Sequence, residues 1–222
     1  ENFGVTVETV RCDLSEPSAI DELCGRIRAI PSLEWMINNA GFGSSGSLAG
    51  GDIAQRRDMV RVHAEAPLTL TRAAIDKMVE ISAGGRRTII NVGSLASILA
   101  VPGASAYVGT KAFLLAFSEC VALELAGLDI NVQVLLPGYF RSDFHRDMDL
   151  SEDEKRSRGL IRWMSAERVA GSSVDAALRR RPPVIHVPGT ANRVAYTVAR
   201  LLPRRLLHAL ARRHFDDSRS TE

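Results

Sequence analysis

Two hydrophobic periods alternate along this chain. Short, β-branched apolar runs predict strands over Val5 to Cys12, Glu34 to Asn38, Arg87 to Val92, Asp129 to Leu136 and Val184 to Val187. Between them, apolar positions recur every three to four residues. This predicts helices over Ser18 to Ile30, Ile53 to Ile81, Ser105 to Ala126, Ala166 to Arg180, Thr190 to Leu202 and Arg204 to Arg213. Strands that alternate with helices point to an α/β fold, a parallel sheet covered by helices. Pro67 should kink or split the segment from Ile53 to Ile81, because it has no N–H to give the helix. Gly127 suits a residue just past the end of its helix.

Composition narrows the picture. At 222 residues and 45% hydrophobic content, one globular domain over 1–222 is expected. Its formal net charge of +2 does not argue for nucleic acid. Cys12, Cys24 and Cys120 are odd in number and far apart, without metal-ligand spacing, and read as buried reduced thiols. No run of 18 apolar residues and no signal peptide is apparent, so a cytoplasmic protein is expected. Residues 139–165 lack a clean period and read as a flap over a substrate site, or as a plain solvated connection. Residues 190–214 carry Arg193, Arg200, Arg204, Arg205, Arg212 and Arg213 with no acid among them. That pattern suits a solvated helical face, an anionic membrane surface or a cover for an apolar substrate.

The candidate chemistry lies in three residues. Tyr107 and Lys111 stand one helical turn apart on one face, with Ser94 thirteen residues upstream at the end of a predicted strand. Ligands of open parallel sheets bind at that end. An ammonium beside a phenol should lower the phenol pKa from ~10. A hydroxyl and an activated phenol aimed at one oxygen suit reduction of a ketone or oxidation of an alcohol.

Asn38-Asn39-Ala40-Gly41, Ser94, Tyr107 to Lys111 and Pro137-Gly138 occur in that order. Together they resemble the short-chain dehydrogenase/reductase family, from about residue 5 to about residue 215. The wording around Tyr107 to Leu114 and the Val187-Pro188-Gly189 tail look like its DltE-like branch. The resemblance implies a Rossmann-like doubly wound parallel sheet and an NAD(P)-dependent oxidoreductase, with NADP preferred and NAD open. A small carbonyl or alcohol substrate and a homodimer or homotetramer follow from it, with Phe113, Leu114, Phe117 and Ala122 on a core or dimer face. The family's Gly-rich turn is absent, and the chain starts at what reads as strand three, so strands one and two would be missing and the edge of Glu34 to Asn38 bare.

The resemblance also implies roles. Tyr107 would be the acid or base, Lys111 would hold the nicotinamide ribose, and Ser94 would hold the substrate oxygen. His63 stands where the family has an Asn whose main chain binds a water. Asp13, followed by Leu14, would meet the adenine, unless Asp13 serves a helix N-terminus. Asn39, Ala40 and Gly41 would line the cofactor, while Pro137, Gly138 and Phe140 would meet the nicotinamide amide, with Ser142 in place of a Thr. Gly41 to Gly46 also matches GxGxxG, with Asp58 beyond it, but reads better as a flexible loop lining the cleft. A catalytically silent fragment or cofactor-sensing module is the second reading.

Overall fold

The computed structural model describes residues 4–44, 46–80, 85–142 and 163–219. In order these form α1 (Pro17–Ala29), β1 (Trp35–Asn38), α2 (Ile53–Val60), α3 (Ala66–Glu80), β2 (Arg87–Val92), α4 (Ser105–Glu124) and β3 (Ile130–Leu135). The short β4 (Phe140–Arg141) and β5 (Met164–Ser165), α5 (Ala166–Ala177), β6 (Ile185–His186), α6 (Thr190–Leu201) and α7 (Arg204–Arg219) follow. The main sheet runs β1-β2-β3-β6, all parallel. Most residues of β2 and β3 are buried, polar Thr88, Asn91 and Gln133 among them, because helices cover both faces.

The strand alternation sorts the core. Ile89 and Val132 face α3 and α4 with Met78 and Val121, whereas Ile90 and Leu135 face α5 with Val169 and Ala177. Each of these side chains larger than alanine stabilises the fold by about 1.5–3 kcal/mol through burial. Beside the sheet, α1 and α3 bury Ile20, Cys24 and Ile27 against Ala66, Leu70 and Ala73. Polar links cross the layers as well: Asn38 Nδ2 donates to Asn91 Oδ1 at 2.8 Å, and Asn91 Nδ2 donates to Ser118 Oγ at 2.9 Å. One chain of amides therefore ties β1, β2 and α4.

Several expectations change. Val5 to Cys12 forms no strand; Val7 is 76% exposed. A strand needs a neighbouring ladder, and among the described residues this segment has none. The break near Pro67 lies one turn earlier, as a π-helical turn over Arg61–Glu65 in which Ala66 N–H donates to Arg61 O. Widening the turn accommodates a proline that cannot donate backwards. Cys120 is exposed rather than buried, because it falls on the outer side of α4. That helix is itself long and apolar enough to cross a membrane, with mean hydropathy 1.4, but it packs along β3. Residues 143–162 of the expected flap lie outside the described residues; its two ends pair as β4 and β5.

At the end of β2 the backbone comes very close to β3. Gly93 N–H donates to Leu135 O at 2.8 Å, and a Cβ on Gly93 would sit 2.7 Å from Leu136 Cδ2. Gly93→Ala is therefore expected to cost about 1–3 kcal/mol by overpacking. Chemical denaturation checks this, and an unchanged midpoint would show that the neighbouring strand yields freely.

Candidate active site

Three strand ends and one helix meet at the carboxyl edge of the sheet. After β2, Ser94 starts a 3-10 turn over Leu95–Ile98, and its Oγ accepts from Ala96 N at 3.1 Å. The same hydroxyl lies beside the phenol of Tyr107 on the first turn of α4, close enough to favour its ionised form. One turn later Lys111 is 5% exposed, with its Nζ donating to Val92 O at 2.8 Å and lying 5.8 Å from the Tyr107 ring centroid. The structure thus brings Ser94, Tyr107 and Lys111 together, as their spacing predicts.

Their protonation differs from the simple expectation. Burial pushes the Tyr107 phenol up; the Ser94 hydrogen bond opposes this and Tyr139 adds to it. Burial also brings Lys111 down to about 8. Desolvation is the largest influence on both groups, so the Tyr107 phenol ends raised where an adjacent ammonium alone would lower it.

His63, in the π-helical turn, is 1% exposed. Its Nε2 accepts from Phe42 N–H at 3.0 Å and its Nδ1 meets Thr110 Oγ1 at 3.3 Å. Thr110 in turn donates to Tyr107 O at 2.9 Å, which leaves its oxygen to accept from a protonated Nδ1. Both ring nitrogens are engaged, and burial, aided by Lys111, brings the pKa to about 3. Gly41 packs on this ring: a Cβ there would lie 2.8 Å from His63 Nε2.

The other expected residues divide into two groups. A cavity of about 370 Å³ is lined by Arg11, Cys12, Asp13, Leu14, Ala40 and Val62. Asp13 is held below the usual carboxylate range by the side-chain and backbone hydrogen bonds of Ser15, so it also closes the turn before α1. Asn39 and Gly41 are exposed beside this cavity's Ala40. On the far side, Pro137 O accepts from Leu95 N at 3.0 Å, Phe140 lies in β4 and Ser142 is exposed. Gly138 abuts Asn192, whose Nδ2 donates to Pro188 O at 2.9 Å.

The GxGxxG loop is tethered, not free. Arg56 is buried and donates to Ser44 Oγ and to Gly46 O. The next helix opens only at Ile53, capped by Asp52, and Asp58 pairs with Arg61 at 3.3 Å on the helical stretch itself. A helix N-terminus aimed at a phosphate does not follow this loop. Phe42, Thr110 and Asn192 escaped the sequence reading because each acts through a contact distant in sequence.

The model of the short chain dehydrogenase family matches residues 1–153. Among curated relatives, the dehydrogenase/reductase SDR family member 7B of Rattus norvegicus is 26% identical over 208 residues, covering 92% of this chain and 63% of the relative. The chain thus spans less than two thirds of that relative's length. A short-chain dehydrogenase from Sphingobium yanoikuyae, solved in complex with NADPH, superposes with a TM-score of 0.74 at 25% identity, over 89% of this chain and 74% of that one. The bulky-bulky ketone specific alcohol dehydrogenase from Comamonas testosteroni gives a TM-score of 0.71 at 25% identity, over 90% and 73%. With a Rossmann-like parallel sheet and a Ser94, Tyr107 and Lys111 cluster at its carboxyl edge, the chain belongs to the short chain dehydrogenase family of NAD(P)-dependent oxidoreductases.

Proposed function

We propose that this chain interconverts an apolar ketone and its secondary alcohol with NADP(H). The observation that carries the reading is the clustering of Ser94, Tyr107 and buried Lys111 at the carboxyl edge of the sheet. Two neighbouring hydroxyls can both meet a carbonyl oxygen that enters between them.

The residues fit the two ends of a dinucleotide. Asp13, Leu14 and Ala40 border a cavity that suits an adenosine, and Asn39 and Gly41 adjoin it. Pro137, Gly138, Phe140 and Ser142, with Lys111 for the ribose, would hold the nicotinamide end. NADPH, when bound, supplies the hydride. Within the chain, Ser94 orients the substrate oxygen and Tyr107 gives it a proton as negative charge develops. The raised phenol pKa keeps that proton in place at neutral pH, which favours reduction. His63 transfers no proton in this scheme; it joins the Phe42 backbone to α4 and so fixes the floor under Gly41.

Two finer points belong to this reading. The Val187-Pro188-Gly189 tail, where Gly189 takes φ +82 ahead of α6, supports the DltE-like branch. The exposed Phe113, stacked on Phe117 at 5.6 Å, supports a homo-oligomer built on α4.

Tyr107→Phe is expected to lower ketone reduction by roughly 10²–10⁴-fold while NADPH binding, read by fluorescence titration, persists. Unchanged turnover would remove Tyr107 from the chemistry. The titration is run beside a chain extended upstream and is repeated with NADH. If neither form binds either cofactor, a silent module is the better description.

Because the phenol is held protonated, the pH profiles of the two directions should separate. The rate of alcohol oxidation is expected to climb through the alkaline range, whereas reduction stays level around neutrality. An oxidation rate already at its plateau at neutral pH contradicts this assignment.

His63 should leave its mark on stability. Its folded pKa lies near 3 and its ordinary value is 6.5, so the unfolded chain binds the extra proton between those values. The stability from neutral His63 is complete above 6.5 and is lost as pH falls towards 3. His63→Asn is expected to flatten that acid limb in denaturation curves. An identical slope in both proteins would mean that another group titrates there.

A further inference from the structure

Helix α6 presents two unlike faces. Asn192 is buried, and Ala195, Tyr196 and Ala199 are half-buried; Tyr196 packs near Leu136 and Val187. On the outer side Val194, Val198 and Leu201 form one stripe at helical spacing, exposed by 52%, 49% and 80%. Arg193 and Arg200 are exposed along one flank of that stripe. Past the turn at Pro203, Leu206 is again exposed, and so are Arg204, Arg205 and Arg212. From Thr190 to Phe215 the sequence holds no Asp or Glu.

We infer that the outer face of α6 and the start of α7 form a docking surface for an anionic lipid bilayer. An apolar stripe bordered by arginines matches an interface where acyl chains lie beneath negative headgroups. The valines and leucines enter the acyl boundary while the guanidinium groups stay with the phosphates. Charge complementarity separates this occupant from a second copy of the chain, since a two-fold contact on this face would press the same arginines together. The helix also has its inner side at the catalytic edge, where Asn192 touches Gly138. If the proposed ketone chemistry holds, an apolar substrate dissolved in the bilayer surface is delivered beside Tyr107. Docking itself does not depend on that chemistry.

The test is flotation of the full chain with phosphatidylcholine vesicles, with and without phosphatidylglycerol, at low and high salt. Binding is expected only with the anionic vesicles and should fall as salt rises. Arg193→Glu with Arg200→Glu, and separately Val194→Ser with Val198→Ser and Leu201→Ser, should each lower the bound fraction roughly tenfold or more. Unchanged far-UV circular dichroism and NADPH titration would confirm that each variant is folded. No binding, equal binding to neutral vesicles, insensitivity to salt, or folded variants that bind like the parent would each overturn the inference. So would sedimentation showing that the serine variant alone dissociates an oligomer, which would assign the stripe to a second copy. Because flotation and turnover are read separately, failure of one is distinguishable from failure of the other.

Discussion

The site depends on four consecutive residues at the carboxyl end of β2. Asn91 turns its amide into the buried bonds with Asn38 and Ser118, and Val92 gives its carbonyl to Lys111. Gly93 lets the backbone press on Leu136, and Ser94 caps the following turn while meeting Tyr107. Since β2 is bonded to β1 on one side and β3 on the other, this backbone has little freedom to adjust. Helix α4 is fixed to it at two heights, through Ser118 and through Lys111. The position of Tyr107 is thus a consequence of strand pairing, and only indirectly of helix formation.

Burial of that same region sets its electrostatics. Lys111 is lowered to about 8, His63 to about 3, and Tyr107 is raised; all three are pushed towards their uncharged forms. An adjacent lysine favours the phenolate through attraction between charges, but burying those charges carries a cost. In the protein by itself the second effect wins. The Tyr107 phenol therefore holds its proton in the protein by itself, while a phenolate would have to be created.

The legible parts of the fold were those whose signal is local. β2 begins and ends at its predicted limits, and β3 and α4 come within two residues of theirs, because β-branched composition and helical spacing are carried within each segment. Tyr107 and Lys111 were legible through their helical spacing. Val5 to Cys12 has the right composition for a strand, but pairing is a property of two segments, and composition reports only one. Pro67 announced an irregular helix without giving its place: the widened turn begins at Arg61. The partners Phe42, Thr110 and Asn192 had no motif to mark them, since an N–H, a hydroxyl or an amide gains its role only from what folds against it.

His63 shows how one departure from a family pattern can be built into the structure. Its ring accepts a proton bond from Phe42 N–H, which requires the neutral form with Nδ1 protonated. An imidazolium would set its own N–H against that of Phe42, so the charged form is disfavoured by geometry as well as by burial. The ring also occupies the space that a side chain at position 41 would need, and glycine stands there. The residue pair Gly41 and His63 therefore acts as a unit: the bare backbone admits the ring, and the ring, through Thr110, ties the loop after β1 to the helix that carries Tyr107. A larger residue at 41 would disturb the helix that carries Tyr107 without touching it.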